Sequence, residues 1–133
     1  MPTYDYKYLL HNDADLGHSG DEYSTNEVNF GVTTPNVNAG GKFGLHLVVT
    51  EAFTDLTEGV ILWICHGAST APTTKLSGMF IPVADLTLGA HFFIPCGSIP
   101  LLQYARALFD VVSTNATLGE GTMWFGDASD WSE

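Results

Sequence analysis

The sequence predicts a single all-β domain over residues 1–133, a jelly roll or β-sandwich of about eight antiparallel strands. Three observations lead there. The 14 glycines are spread along the 133 residues and cut them into short apolar runs, which is sandwich spacing. Lys42–Glu51 alternates strictly: Phe43, Leu45, Leu47 and Val49 fall on one face, Gly44, His46, Val48 and Thr50 on the other. A repeat of two is the period of a strand. Two later apolar runs stop at Pro82 and Pro95, and proline marks strand ends because it has no N–H to give the ladder.

The elements follow in order. Residues 1–7 form a polar N-terminal arm, and Tyr6–Leu10 and Glu27–Val32 are the first, weaker strands. Between them Asn12–Asn26 is a long acidic loop carrying Asp13, Asp15, Asp21 and Glu22; Thr33–Gly41 is a second, with a proline, two asparagines and a Gly-Gly pair. Loops of this length in a compact domain tend to be functional. After the Lys42–Glu51 strand comes Val60–Cys65, a continuous apolar run suited to a strand buried on both faces. Lys75–Ile81 and His91–Ile94 are the next strands. In residues 101–112 two patterns compete. Leu101, Leu102, Ala105, Leu108, Phe109 and Val112 lie at helical spacing after Pro100, and alanine and leucine favour helix. Against this, the neighbours are all β, and Val111 and Val112 are β-branched beside a turn at Asn115; a strand is expected. Met123–Phe125 is the last strand before an acidic tail, residues 126–133.

The bulk properties narrow the function. One domain of 133 residues can bury roughly two-thirds of its unfolded surface and needs no metal or disulfide to fold. Fifteen Asp and Glu stand against Lys7, Lys42, Lys75 and Arg106, a net charge of −11. Such a surface disfavours nucleic acid and anionic lipid. No apolar run approaches the ~18 residues of a membrane span, so the chain is expected to be soluble and not secreted. Cys65 and Cys96 sit in apolar runs and read as reduced core thiols.

Motifs of chemistry fail on inspection. Asp13-Ala14-Asp15-Leu16-Gly17 opens like a calcium loop, but an EF-hand needs a side-chain oxygen at Gly17, glycine at His18 and glutamate at Ser24. A solvated acidic loop is the better reading. Gly17-His18-Ser19-Gly20-Asp21 lacks the last glycine of a nucleophile elbow and the strand and helix that flank one. Cys65 and His66 are adjacent, so on a strand they point to opposite faces and converge poorly on zinc. No phosphate-cradling glycine loop or Walker lysine occurs, and Asn115-Ala116-Thr117 reads as a chance glycosylation triplet. No cofactor is expected, and the chain is read as a non-enzyme.

From Tyr8 to Asp127 the order of several segments carries a resemblance. These are Leu9-Leu10-His11-Asn12-Asp13-Ala14; Ser24-Thr25-Asn26-Glu27-Val28-Asn29-Phe30-Gly31; and Leu45-His46-Leu47-Val48-Val49-Thr50-Glu51-Ala52-Phe53. Ile81-Pro82-Val83-Ala84-Asp85-Leu86 then leads to Gly89, followed by Ile94-Pro95, Tyr104-Ala105-Arg106-Ala107-Leu108 and Gly121 to Asp127. In this order the chain resembles the jelly-roll capsid cement (decoration) proteins of tailed bacteriophages. The chain departs from the pattern in its more acidic Asn12–Asn26 loop and in a tail ending Asp130-Trp131-Ser132-Glu133. The resemblance implies a structural virion protein whose copies associate, as homodimers, on the outer surface of the capsid, bound to the major capsid protein and stabilising the shell.

Candidate interface residues are few. Tyr4, Tyr6 and Tyr8 share a face if the arm is extended, and tyrosine buries much area at little entropic cost; packing of this arm on its own sandwich is the competing reading. Trp131 is the exposed-aromatic candidate of the tail. Arg106, the only arginine, could meet a partner's carboxylate or an internal one. Trp63 and Trp124 are assigned to the core. The alternative function is a carbohydrate-binding, lectin-like module on the same architecture, with a cupin-type metalloprotein behind it.

Overall fold

The computed structural model describes residues 8–17, 21–33, 35, 42–54, 56–96, 101–112, 116 and 118–128. Nine strands are described: β1 Leu9–Asp15, β2 Glu22–Tyr23, β3 Val28–Asn29, β4 Phe43–Glu51, β5 Gly59–Gly67, β6 Thr74–Pro82, β7 His91–Pro95, β8 Tyr104–Val112 and β9 Glu120–Asp127, with a 3-10 turn at Val83–Asp85 between β6 and β7. They make two antiparallel sheets, β1-β9-β4-β7 and β2-β8-β5-β6, with β3 also paired to β8. Because β2 and β3 lie along the same neighbour, they act as one interrupted strand, and the count returns to eight.

The pairing is nested. β1 pairs with β9, β2 and β3 with β8, β4 with β7, and β5 with β6. The chain thus behaves as one long hairpin, turning at β5–β6, that is rolled until β4 meets β9 and β5 meets β8. This is the double-sheet jelly roll.

The core lies between the two sheets. Leu45, Leu47 and Val49 of β4 with Met123 and Phe125 of β9 face Val60, Leu62 and Ile64 of β5 with Ala105, Ala107 and Phe109 of β8, all essentially without solvent contact. β4 holds the alternation expected of it. β8 is a strand, as expected: Ala105 and Ala107 are inner-face residues of a central strand, so tertiary context overrides their helical preference.

Three expectations are corrected. β1 runs from Leu9 to Asp15, without Tyr8 and on into the segment read as loop; Tyr6 and Lys7 of the expected Tyr6–Leu10 strand lie outside the described residues. The acidic Asn12–Asn26 segment also holds β2. β5 is not buried on both faces: Val60, Leu62 and Ile64 are buried, whereas Ile61 and Trp63 on the other side are half-exposed, which removes Trp63 from the core. Trp124 is wholly buried.

Candidate docking surface

The two outer faces of the sandwich differ. On the four-stranded sheet, strand register places Leu9, Trp124, His46 and Phe93 in one row across β1, β9, β4 and β7. His46 and Trp124 are wholly buried, their rings parallel at 4.8 Å between centroids, and the Phe93 ring lies 4.8 Å from His46 on the other side. His46 Nε2 lies 2.8 Å from the Asp127 carbonyl oxygen, and His46 Nδ1 lies 2.8 Å from His91 Nε2. These bonds tie β4 to β9 and β7. The centre of this face is thereby closed to solvent, while Phe93, His91 and Val48 towards β7 are half-exposed.

The outer face of the five-stranded sheet is open. Register sets three rows across it. Tyr23, Leu108, Trp63 and Gly78 form the middle row; Asp110, Ile61 and Phe80 lie on one side, Arg106, Cys65 and Lys75 on the other. Tyr23 and Phe80 are exposed, at 36% and 52%, and Ile61, Trp63 and Arg106 are half-buried. Leu108 is covered, lying in register between Tyr23 and Trp63.

Polar contacts hold these rings in place. The Trp63 indole N–H donates to Asp110 Oδ2 at 3.2 Å, and Lys75 Nζ sits 4.8 Å from the centre of the ring. The indole also leans over Gly78, where a Cβ would come within 2.5 Å of it. The Arg106 guanidinium stacks on Tyr23 with 3.6 Å between its carbon and the ring centroid, while Arg106 Nε–H donates to the Pro72 carbonyl at 2.8 Å. Both cation–π contacts restrict side chains that would otherwise lose entropy on binding. Burial pushes the Cys65 thiol up, only partly opposed by Arg106 and Lys75; Cys96, more deeply buried, is pushed up to about 12. Both are free thiols, too protonated to react readily.

A second cluster gathers Asp13, Asp15, Glu51 and Glu120 around the end of β1 and the start of β9. Burial, then the charges of Glu51, Asp13 and Asp15, hold the Glu120 carboxyl above its ordinary range. Glu51 is engaged in part, its Oε1 accepting from Gly119 N–H at 3.1 Å. Among the described residues no group of three or more His, Cys, Asp or Glu is placed to hold a metal ion.

Of the residues expected at an interface, Tyr4, Tyr6 and Trp131 lie outside the described residues. Tyr8 is half-buried and packs 5.8 Å from Phe30 and 5.9 Å from Phe43, on its own sandwich. Arg106 is on the open face and engages a ring and a backbone carbonyl. Sequence reasoning missed Tyr23, in a segment read as loop, and Trp63, in a run that is apolar on both faces. The signal that could have found Trp63 is on β8, where Arg106 and Asp110 mark the solvent side of a strand that pairs residue by residue with β5. Neither any family model nor any curated protein matches this chain.

Proposed function

We propose that this chain is a structural virion protein, a capsid cement (decoration) protein that binds the outer surface of the major capsid protein shell and stabilises it. The observation that carries the reading is the open face of the five-stranded sheet. Tyr23, Trp63, Ile61 and Phe80 project there from rigid strands, flanked by Arg106 and Lys75, two of the four cations of a chain with net charge −11. Aromatic and arginine residues on a pre-organised face are what protein interfaces use as anchors. A cement role needs a rigid body with a contact patch, repeated with the shell's symmetry, and no catalysis. Binding the assembled shell and not its dissociated subunits then stabilises the shell by mass action.

The carbohydrate-binding alternative is weaker on this face. Trp63 and Tyr23 already carry Lys75 and Arg106 on their rings, so a sugar stacking on those faces must displace a cation first.

The test is quantitative mass spectrometry of purified virions from the phage or prophage that encodes the chain, read as copies relative to the major capsid protein. Unity or a simple fraction is expected for a regular shell component. Absence, or a handful of copies, ends the cement reading and directs attention to glycan arrays.

A further inference from the structure

A strand with only one neighbour presents unpaired N–H and C=O groups on its free side, where another strand can add. Brevity, charge, bulges and proline are the devices that keep such edges from pairing. Most edges of this sandwich carry one. β1 is interrupted by two register shifts and contains Asp13 and Asp15; β2 and β3 are two residues each; β7 is five residues ending in Pro95. β6 differs. It has nine residues and, among the described residues, borders β5 alone; its own devices, Lys75, the register shift beside Leu76 and Pro82, sit towards its two ends. Between the register shift beside Leu76 and the terminal Pro82, Ser77–Ile81 is a regular edge that no other described strand pairs with.

The ladder fixes which groups face outward. Val83 N–H donates to the Glu58 carbonyl at 3.0 Å, one step beyond the Gly59–Pro82 pair. Antiparallel pairs alternate between exchanging hydrogen bonds and not exchanging them. Val60–Ile81, Leu62–Met79 and Ile64–Ser77 therefore carry the ladder, while Gly78 and Phe80 turn their N–H and C=O to the free side. Gly78 is exposed and Phe80 is 52% exposed.

The geometry points to β6 as a self-pairing edge: a second copy of this chain adds antiparallel about a two-fold axis at Met79, Gly78 of each copy opposite Phe80 of the other. This register uses both outward donors of Ser77–Ile81, since each Gly78–Phe80 pair exchanges two bonds. Moving the strands by two residues would place a donor-free Pro82 or the irregular Leu76 opposite an available partner.

Charge selects a second copy as the occupant. Copies at −11 repel one another, least where carboxylates are missing, and β6 carries Lys75 as its single charge. Antiparallel pairing brings Lys75 toward the other copy's Val83–Asp85 turn, where Asp85 is exposed. Shape agrees. The Phe80 ring of one copy meets the side-chain-free Gly78 of the other, beside the half-exposed Trp63, an aromatic-over-glycine pairing that favours strand association. The contact is isologous, as a two-fold requires.

This inference rests on the reading that copies associate, and is independent of what the dimer docks on. Sedimentation equilibrium of the full chain and of Phe80→Pro tests it. Proline at position 80 removes an N–H that β5 does not use. The unmutated chain should be a dimer that dissociates on dilution, and the variant a monomer. Hydrogen exchange on the unmutated chain gives a second readout, and decides if the variant does not fold. The Gly78 and Phe80 amides should exchange about tenfold more slowly in the dimer than after dilution. A dimer indifferent to Phe80→Pro, or with those two amides exchanging equally in both states, removes β6 and leaves association standing. A chain monomeric at every concentration overturns association as well. Neither result alters the copy number on virions, so the cement reading fails or stands separately.

Discussion

His46 shows how much a buried residue's chemistry is dictated by its partners. The Asp127 carbonyl can only accept, so His46 Nε2 carries the proton; in the neutral ring Nδ1 must then accept, and His91 Nε2–H donates to it at 2.8 Å. Burial, then the neighbouring His46, lowers His91 from 6.5 to about 4. The sign follows from linkage. A histidine more acidic in the fold than in the unfolded chain resists protonation when folded, so its stability is complete above about pH 6.5. It is lost as pH falls from there towards 4. The expected cost is on the order of 1 kcal/mol, below the full linkage value because the ring is only half-buried. His91→Gln keeps an N–H for His46 but does not titrate; urea unfolding should show a smaller loss between pH 7 and 4 than in the unmutated chain. Equal losses would place the acid sensitivity elsewhere. Glu120 has the opposite sign. Its carboxyl is held above its ordinary range by burial and by Glu51, Asp13 and Asp15, so its charged form destabilises the fold once pH exceeds the unfolded carboxylate range. Glu120→Gln should raise the melting temperature at pH 7, with the gain vanishing near pH 4; a loss at pH 7 would show that its hydrogen bonding outweighs the repulsion.

At the scale of elements, close strand approach depends on particular glycines. A Cβ at Gly44 would lie 2.3 Å from the Ile94 carbonyl oxygen and 2.9 Å from Pro95 Cα, both backbone atoms of the paired β7. Gly44→Ala must therefore spread β4 from β7, and overpacking of this kind costs about 3 kcal/mol. Chemical denaturation should show the loss, and a change under 1 kcal/mol would mean that β7 moves freely at the sheet edge. β4 was legible because its period of two is written in residue types, with Leu45, Leu47 and Val49 separated by Gly44, His46 and Val48. β5 was not, because Ile61 and Trp63 are as apolar as the core residues between which they fall, and burial alternates where hydrophobicity does not. β1 was misplaced for the converse reason: it is an edge strand with two register shifts, and polar His11, Asn12 and Asp13 look like loop. The jelly-roll pairing order joins residues more than a hundred positions apart, Leu9 with Trp124 among them, which no local pattern encodes. For the site, Arg106 could be singled out as the only arginine, but the ring it serves, Tyr23, lies on another strand.

For the whole molecule, the open face and the β6 edge bear on the same problem of area. β5, β6 and β8, nine residues each, are about 30 Å long, and with the short β2 and β3 along the edge of β8 the sheet spans about 15 Å, so it offers roughly 450 Å². A standard interface takes about 800 Å² from each partner. Two sheets joined edge to edge along β6 would present roughly 900 Å² as one surface, and each half would raise the effective concentration of the other at the shell. The anchors can be separated from the fold because they lie outside the core. Trp63→Ala removes the central ring of the open face, together with its bond to Asp110 and its contact with Lys75. An anchor of this kind is worth about 2 kcal/mol or more of binding, equivalent to roughly thirtyfold in affinity. Addition of the purified variant to shells stripped of the protein should therefore give half-occupancy at a concentration about thirtyfold higher than for the unmutated chain. The core between the sheets does not include Trp63, so cooperative unfolding should be retained. Arg106→Ala should weaken binding less, because Tyr23 keeps its place in register with Leu108. Full occupancy by Trp63→Ala at the unmutated concentration would move the docking site off this face, leaving the loops and the four-stranded side as the surfaces to test.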